Sequence, residues 1–368
     1  MRFSVQREAF LKPLRVVAGV VERKSAQVAP VLQNVLIQLK DQRFYLTTTD
    51  QEVELVSTGP LLEKAGSGAV TVSVRKLMDI CRTLPEGGDI SVKGQSGRLL
   101  IQSGRSRFTL STLPAEEFPG VSDAVQGAEF SMASGGLKRL IEQTGFAMAD
   151  QDVRYYLNGM LFELRAGKIY SISADGHRLA FSDVSLTGAP QDIRAIVPRK
   201  SILELQRILP ETDEPVRITL GSNHIRVRTS EAQLTSKLLE GRFPDYQRIL
   251  STVGDKVVLG RRESLKEAFQ RAATVLSDKF KGVRLKLSKG TMKILATNAE
   301  QDEVEEDLEV DYDGDELEIG FNIKYLIDFL NAIPSDHVKF TLSDANSSAR
   351  VEGVDAEHGV YVIMPMRI

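Results

Sequence analysis

The residues best suited to chemistry stand in one short segment, 173–179, whose sequence is SADGHRL. Asp175 and His177 could orient one another as two members of a hydrolytic triad. A triad also needs a nucleophile in an exposed turn, and the sequence contains no Gly-x-Ser-x-Gly motif. Asp-Gly is also a common turn sequence, so a structural or binding role is favoured over catalysis. A hydrolase that uses Asp175 and His177 stays open as the alternative.

The sequence predicts neither a metal site nor a cofactor site. The four histidines are scattered without metal-ligand spacing, and the one cysteine, Cys81, falls on the apolar face of a predicted helix. There is no Walker-type Gly-Lys-Ser/Thr sequence and no Gly-x-Gly-x-x-Gly between a strand and a helix. A single cysteine cannot form an internal disulfide, which fits a reducing compartment.

The elements that must position these residues recur three times. Leu84-Pro85, Leu209-Pro210 and Ile333-Pro334 lie 125 and 124 positions apart, and each pair ends a stretch with apolar residues at helical spacing. This interval is about the length of one domain and too regular for chance. The chain is therefore predicted to be one fold written three times, with domains at 1–124, 127–252 and 253–368.

Each repeat is predicted to run in the order strand, helix, hairpin, helix, further strands. This order gives the α+β class, with three similar domains of antiparallel sheets and paired helices. If the three domains stand side by side with their helices inward, the helices line a concave surface. A second copy joined head to tail would then close a ring.

Composition is that of an ordinary globular protein: 368 residues, 42% hydrophobic and 26% charged. A net charge of −3 argues against a uniformly basic nucleic-acid-binding protein. The acids, however, crowd into 300–318, so a basic surface elsewhere is still compatible with this total. The N-terminus has no apolar core of a signal peptide, and no apolar run approaches the roughly 18 residues of a membrane span. The predicted location is the cytoplasm.

Basic and aromatic residues indicate a second kind of chemistry. Arg75, Lys76 and Arg82 recur in type around the second helix of the next repeat, off the apolar stripe. Phosphate contacts need only mobile positive charge and carry no base information. The tyrosines at 155 and 156 could stack on unpaired bases. The alternative interpretations are a solvated helix face and half-buried core tyrosines.

Charges of opposite sign near the two ends of the chain suggest how a second copy would bind. Arginines cluster beside Phe108 in the first repeat, and acids cluster at 300–306 in the third. Cross-strand ion pairs contribute roughly 0.2 to 1 kcal/mol each, so apolar burial of Phe108 against Val275 and Leu276 would supply most of the affinity. Solvated faces are the alternative interpretation. The predicted interface comprises Lys76, Arg98, Arg105, Arg107, Phe108, Thr274, Val275, Leu276, Glu300, Asp302, Glu303, Glu305 and Glu306.

Over essentially its whole length the sequence resembles the bacterial DNA polymerase III beta subunits, the sliding clamps. The most specific marks are QDVRYYLNGM at 151–160, DGHRL at 175–179, VPRK at 197–200, GRFPDY at 241–246 and MPMR at 364–367. The resemblance implies a ring-shaped homodimer that encircles duplex DNA without sequence preference and tethers polymerases, with no catalytic activity and no cofactor. A protein that recognises one DNA sequence is a further alternative.

The resemblance also implies site residues. A hydrophobic pocket between the second and third domains would receive short peptides from polymerases and the clamp loader, and its wall would be Leu157, Gly176, His177, Arg178, Leu179, Pro244, Arg248, Ile249, Tyr325, Ser348, Val362, Met364, Pro365, Met366 and Arg367. Methionines adapt to varied partners, and Arg178 and Arg367 would hold polar peptide groups. The implied DNA contacts are Arg23, Lys24, Arg75, Arg82, Gln151, Tyr155, Tyr156, Arg199, Lys200 and Arg207.

The sequence departs from the family pattern at three places. Ala174 stands where a threonine commonly lines the pocket, which removes one polar contact. The loop at 22–29 is longer, which shifts the register of Arg23 and Lys24. Thr274 replaces a larger apolar residue at the predicted interface.

Overall fold

The computed structural model describes residues 1–21, 29–63, 66–120, 125–188, 192–251, 254–277, 281–355 and 359–367. Within them the chain passes three times through one order of elements: a strand, a helix, four strands, a second helix and three strands. The first repeat contains β1 (Arg2–Gln6), α1 (Arg7–Val17), β2 (Asn34–Lys40), β3 (Arg43–Thr49), β4 (Val53–Pro60), β5 (Gly68–Ser73), α2 (Val74–Thr83), β6 (Asp89–Gln95), β7 (Arg98–Ser103) and β8 (Ser106–Leu113).

The second and third repeats follow the same order. The second contains β9 (Gly127–Ala133), α3 (Ser134–Thr144), β10 (Gly159–Arg165), β11 (Lys168–Ala174), β12 (Arg178–Ser185), β13 (Ile193–Pro198), α4 (Arg199–Ile208), β14 (Pro215–Gly221), β15 (His224–Arg228), β16 (Ala232–Lys237) and a short linking helix, α5 (Tyr246–Leu250). The third contains β17 (Lys256–Arg261), α6 (Arg262–Ala273), β18 (Gly282–Ser288), β19 (Thr291–Thr297), β20 (Glu303–Glu309), β21 (Leu317–Asn322), α7 (Ile323–Ala332), β22 (His337–Leu342), β23 (Ala349–Gly353) and β24 (Val360–Ile363).

The α+β class and the threefold repetition predicted from the sequence are confirmed, but the strands between the two helices are four and not two. The missed strands lack a clean alternation of apolar and polar residues. In β20, for example, acids occupy most positions, and Glu and Asp are depleted in strands. Pairing with β19 along the whole strand, from Thr291 opposite Glu309 to Thr297 opposite Glu303, holds this sequence extended.

The described strands form antiparallel sheets of 12, 8 and 4 strands, and two of the sheets pass from one repeat into the next. β4 of the first repeat pairs with β16 of the second, and β12 of the second pairs with β24 of the third. The chain accordingly divides into two compact units, 1–135 with 203–238 and 136–202 with 239–368. The second repeat contributes to both units because each of its two sheets extends a sheet of a neighbouring repeat.

The second helix of each repeat buries one apolar stripe, as its spacing predicts. In α2 the buried residues include Leu77 and Cys81, and burial raises the pKa of the Cys81 thiol to about 12. In α7 the stripe includes Leu326 and Phe329, and the Phe329 ring stacks on that of Tyr361 with centroids 5.0 Å apart. In the described parts of the chain, no α-helix combines the length and apolarity that a membrane span requires.

Candidate functional site

The segment 175–178 forms a tight turn that is built by the carboxylate of Asp175. One oxygen of this carboxylate accepts hydrogen bonds from the backbone nitrogens of His177 at 2.9 Å and Arg178 at 3.0 Å. The other accepts from Nε of Arg178 at 3.0 Å. Asp175 therefore holds the turn by its backbone, and the His177 side chain lies exposed beside it. Among the described residues, no hydrogen bond joins this carboxylate to the imidazole of His177, as the triad interpretation would require.

Gly176 allows a second loop, 151–157, to pack against this turn. Its φ is +90°, and a Cβ atom at this position would lie 2.7 Å from Nη2 of Arg154. That same nitrogen donates to the carbonyl of Asp175 at 3.2 Å and to the carboxylate of Asp152 at 2.8 Å. Hydrogen bonds from Arg154 lower the pKa of Asp152 to about 2. The two loops are thus joined through one arginine.

Arg178 follows the turn and joins the second repeat to the third. Its side chain is only 7% exposed. Nη1 donates to Oδ2 of Asp328 on α7 at 2.6 Å, and Nη2 donates to the carbonyl of Phe146 at 2.7 Å. The guanidinium carbon lies 4.1 Å from the centre of the Tyr325 ring, within the range of a cation–π contact. Each nitrogen of this guanidinium therefore has a partner within the protein.

An apolar floor lies next to the turn. The buried residues of this cluster are Ala149, Leu157, Leu161, Ile172, Ala174, Leu179, Ile196, Tyr246 and Val362, and Ile249 packs against it. Leu179 and Val362 are direct neighbours across the pair of strands β12 and β24, which belong to different repeats. Because position 174 is an alanine, it adds no hydroxyl group to this floor.

The C-terminal segment lies beside the floor and is fixed by its backbone. Met364 N donates to the carbonyl of His177 at 2.9 Å, and Met366 N donates to the carbonyl of Gly320 at 2.8 Å. The side chains of Met364 and Met366 are nonetheless exposed, by 52% and 41%. Two large apolar side chains are thus exposed in a segment that adjoins a buried apolar floor, and exposed apolar groups of this kind are candidates for binding.

Helix α5 borders the same cluster and is tied to the sheet by a buried hydrogen bond. The Tyr246 hydroxyl donates to Glu163 at 2.6 Å, and Arg194 also donates to this carboxylate at 2.9 Å. Burial, with the hydrogen bond to Glu163, raises the pKa of Tyr246 to about 12. Ile249 lies half-buried on this helix, and Arg248 lies exposed.

Contacts connect most of the predicted pocket residues in one region. Leu157, Leu179, Ile249 and Val362 share the floor, and His177, Arg178, Tyr325 and Met364 are linked by the contacts above. Met366 follows Met364 in the chain and bonds to Gly320. Of the remaining predicted residues, Gly176 lies in the turn, Pro244 and Arg248 lie by α5, and Pro365 and Arg367 lie in the terminal segment. Ser348 precedes Ala349, which is paired with Ile363 across β23 and β24.

Sequence reasoning missed Arg154 as the link between the loops, Asp328, the carbonyl of Phe146, and Glu163. Only Asp328 left a recognisable trace in the sequence. It is an acid within the largely apolar helix α7, IKYLIDFLNA.

Two of the predicted DNA-contacting arginines make contacts inside the protein. Arg207 donates through Nη1 to the carbonyl of Arg15 at 3.2 Å, through Nη2 to that of Val16, and through Nε to Glu204 at 3.0 Å. Arg199 donates to the carbonyl of Met148 at 3.2 Å. These two guanidinium groups support the structure, which charge and spacing alone did not indicate.

The other predicted DNA contacts are distributed over both compact units. Arg75 and Arg82 are exposed on α2, with the Arg75 side chain 82% accessible. In the loop 151–157, Gln151 is exposed, Tyr155 is 54% exposed and Tyr156 is partly buried. Lys200, on α4, is also partly buried. Arg23 and Lys24 lie outside the described residues.

Most of the predicted interface residues lie on or beside β7, β8 and β20, whereas Lys76 lies on α2 and Thr274, Val275 and Leu276 follow α6. In the first repeat, residues 106–111 of β8 pair with β7 on one side, and β5 pairs only with the last two residues of β8. β20 is the edge strand of the four-stranded sheet. Exposed residues of the predicted set are Lys76, Arg98, Arg105, Arg107, Thr274, Glu300, Asp302, Glu303 and Glu305, and the half-buried ones are Phe108, Val275, Leu276 and Glu306.

Comparisons with known proteins agree over the whole chain. Residues 1–122, 131–245 and 247–367 match the N-terminal, central and C-terminal domains of the DNA polymerase III beta subunit. The chain is 52% identical to the beta sliding clamp of Pseudomonas aeruginosa and 46% identical to that of Escherichia coli, covering 100% of both partners in each comparison.

Solved structures show the same likeness. A crystal structure of the Pseudomonas aeruginosa DNA polymerase III subunit beta superposes with a TM-score of 0.95 at 51% identity, and Caulobacter crescentus pol III beta superposes with 0.93 at 34% identity. Both comparisons cover 100% of each chain. A Pseudomonas aeruginosa sliding clamp has also been solved bound to griselimycin. The chain belongs to the DNA polymerase III beta subunit family, the non-catalytic sliding clamps of DNA replication.

Proposed function

We propose that the chain works as a head-to-tail homodimer that encircles duplex DNA and captures DNA polymerases and the clamp loader by short linear peptides. The observation that carries the peptide site is the pair Met364 and Met366, exposed beside an apolar floor and fixed by backbone hydrogen bonds. The floor spans strands of two repeats, so it can bury apolar side chains of a peptide without a large rearrangement. The chemistry of the site is binding.

The character of the side chains fits many partners better than one. Methionine is unbranched and polarisable, so it can adapt its shape to different apolar side chains. Exposed His177 and Arg248 at the border can contact polar groups of a peptide, while the floor accepts aliphatic or aromatic side chains. Because all partners would use the same surface, only one peptide occupies each chain at a time.

Strand edges and their charges support the head-to-tail dimer. Exposed arginines accompany the open edge of β8, and acids cover the edge strand β20. Two open antiparallel edges of opposite charge can pair through their main chains, and the charges then select partner and register. Half-buried Phe108, Val275 and Leu276 would supply the apolar contact.

Contact with DNA would be electrostatic and without sequence preference. Arg75 and Arg82 on α2 are exposed, and they can move to meet phosphates. Tyr155 can stack on an unpaired base. Since the relatives are bacterial replication proteins, the proposed location is the cytoplasm, where bacterial DNA lies.

Calorimetric titration with peptides tiled from a bacterial replicative polymerase tests the peptide site. The double variant Met364→Ala/Met366→Ala should bind at least about ten-fold more weakly. Full burial of one methionine side chain by a peptide contributes about 1.5 to 3 kcal/mol to the free energy of binding. Val354→Ala removes an exposed apolar side chain at a position outside the predicted pocket and should leave the affinity unchanged. Equal affinities for all three proteins would overturn the peptide site.

A further inference from the structure

We infer that Asp328 is a positioning residue of the peptide site, because it holds Arg178, whose hydrogen bonds link two repeats. Arg178 has this structural role in place of the peptide contact that sequence reasoning assigned to it. The inference rests on the proposed peptide-binding function and names a residue that the predicted pocket did not include. Its basis is the set of partners around one guanidinium group.

The guanidinium of Arg178 is engaged on its edges and on its face. Each of its three nitrogens donates to a different element: Nε to the turn at Asp175, Nη1 to Asp328 on α7, and Nη2 to the carbonyl of Phe146. The Tyr325 ring covers its face at 4.1 Å. With 7% of the side chain exposed, a peptide has little access to it.

Asp328 is the partner that belongs to the third repeat. Its carboxylate also accepts from Lys324 at 2.9 Å, one turn earlier on α7, so it is held from its own helix as well. Its side chain is 18% exposed, and a charge-assisted hydrogen bond in this setting is stronger than one in water. Removing the charge should release Arg178 from α7 and with it the stacked position of Tyr325, a predicted wall of the site.

At the other junction between repeats, an acid at the matched helix position also accepts from an arginine. Glu204 on α4 and Asp328 on α7 stand 124 positions apart, the spacing of the Leu-Pro and Ile-Pro pairs that end these helices. Glu204 accepts from Arg207, which also donates to the carbonyls of Arg15 and Val16 at the end of α1.

Each junction therefore joins an acid on the second helix of the later repeat, an arginine, and a backbone carbonyl of the earlier repeat. The carbonyls of Arg15 and Val16 lie in the last turn of α1, and that of Phe146 lies just beyond the end of α3. Carbonyl groups near a helix C-terminus attract positive charge, which is a feature of both junctions.

The acids recur at matched positions, whereas Arg207 lies on α4 beside its acid and Arg178 lies on β12 of the earlier repeat. Glu204 is therefore a matched control for Asp328, because only the Arg178 link adjoins the peptide site.

The test compares Asp328→Asn with Glu204→Gln in the full chain. Each variant replaces the acid that binds the arginine at one junction by its amide. Peptide affinity is measured by calorimetry. The environment of Tyr325 is measured by fluorine NMR on protein labelled with 3-fluorotyrosine, with the resonance assigned by Tyr325→Phe among the eight tyrosines of the chain.

We expect Asp328→Asn to lower peptide affinity at least ten-fold and to shift the Tyr325 resonance, Glu204→Gln to do neither, and Asp328→Glu to recover part of the affinity. If Asp328→Asn keeps both the affinity within two-fold and the wild-type resonance, the role of the Arg178 link is refuted. Loss of binding in Met364→Ala/Met366→Ala would then still uphold the peptide site.

If the wild-type protein binds no peptide, the proposed function fails, and the Tyr325 resonance alone tests the Arg178 link. A shift of this resonance in Asp328→Asn supports the link, and an unchanged resonance refutes it.

Discussion

The carboxylate of Asp175 accepts a hydrogen bond from the backbone nitrogen of His177 at 2.9 Å. This relationship separates the two interpretations that the sequence left open for the segment. In a hydrolytic triad the carboxylate orients the imidazole ring, whereas here it caps the backbone of a turn. The turn places the carbonyl of His177 where it accepts from Met364 N, so the segment holds the backbone of the C-terminal residues in place.

Gly176→Ala should weaken peptide binding about five-fold or more. A left-handed backbone at a non-glycine residue costs about 1 to 3 kcal/mol, and the new Cβ would displace Arg154 as well. Gly167→Ala is the matched control, since its φ is +74° but an added Cβ meets nothing within 4 Å. Calorimetry on both variants separates the displacement of Arg154 from backbone strain. Equal affinity in the two variants would contradict a role for the Arg154 contact.

Arg207→Ala should lower the free energy of unfolding by about 1 kcal/mol or more, because Arg207 holds carbonyls at the end of α1. Arg75→Ala should leave stability within about 0.5 kcal/mol, since its side chain is 82% exposed. On duplex DNA at low salt the order should reverse, with Arg75→Ala binding more weakly than Arg207→Ala. Urea unfolding and fluorescence anisotropy measure the two effects. If Arg207→Ala were as stable as the wild-type protein and lost more DNA affinity than Arg75→Ala, Arg207 would be a DNA contact, as its sequence predicts.

These arginines show what sequence could and could not predict. Apolar residues at helical spacing in 77–84, 202–209 and 326–333 predict the second helices, because a helix with one buried face repeats apolar residues every three or four positions. The repeat spacing and the turn at Asp175 were predictable for similar reasons. The partner of an arginine leaves no such pattern. Arg75 and Arg207 look alike in sequence, and only the proximity of the α1 carbonyls of Arg15 and Val16 engages one of them in the structure.

The missed strands have the same physical origin. β20 carries a sequence that disfavours a strand by propensity, and its pairing with β19 overrides that preference. Likewise, nothing local to Glu163 indicates that it lies buried under Tyr246, since the two residues are far apart in the chain. Long-range pairing decides both cases.

Stability should fall more steeply above pH 10 in the wild-type protein than in Tyr246→Phe. The pKa of Tyr246 is raised from 10 to about 12, so the folded state retains the phenol proton that the unfolded chain releases. This contribution is fully present below pH 10 and is lost as the pH rises through about 12, at up to about 1.4 kcal/mol per pKa unit. Urea unfolding at pH 9 and pH 11 gives the comparison. Parallel declines would show that Tyr246 does not resist ionisation.

Charge reversal should test the head-to-tail pairing of β8 with β20. Arg105→Glu/Arg107→Glu and Glu300→Lys/Glu303→Lys should each weaken the homodimer about ten-fold, with a smaller effect at high salt. Mixing the two variants should restore dimers, because both interfaces of the mixed ring then join opposite charges. Analytical ultracentrifugation measures each dissociation constant. Mixed chains that dimerise no better than either variant alone would exclude this pairing.

The most direct test of the central claim compares retention of the protein on closed circular duplex DNA with retention on the same DNA after linearisation. After loading by a clamp loader and passage through a gel-filtration column in high salt, the protein should stay with the circle and be lost from the linear molecule. A ring holds DNA by topology and slides off a free end. Equal retention on both forms would contradict encirclement.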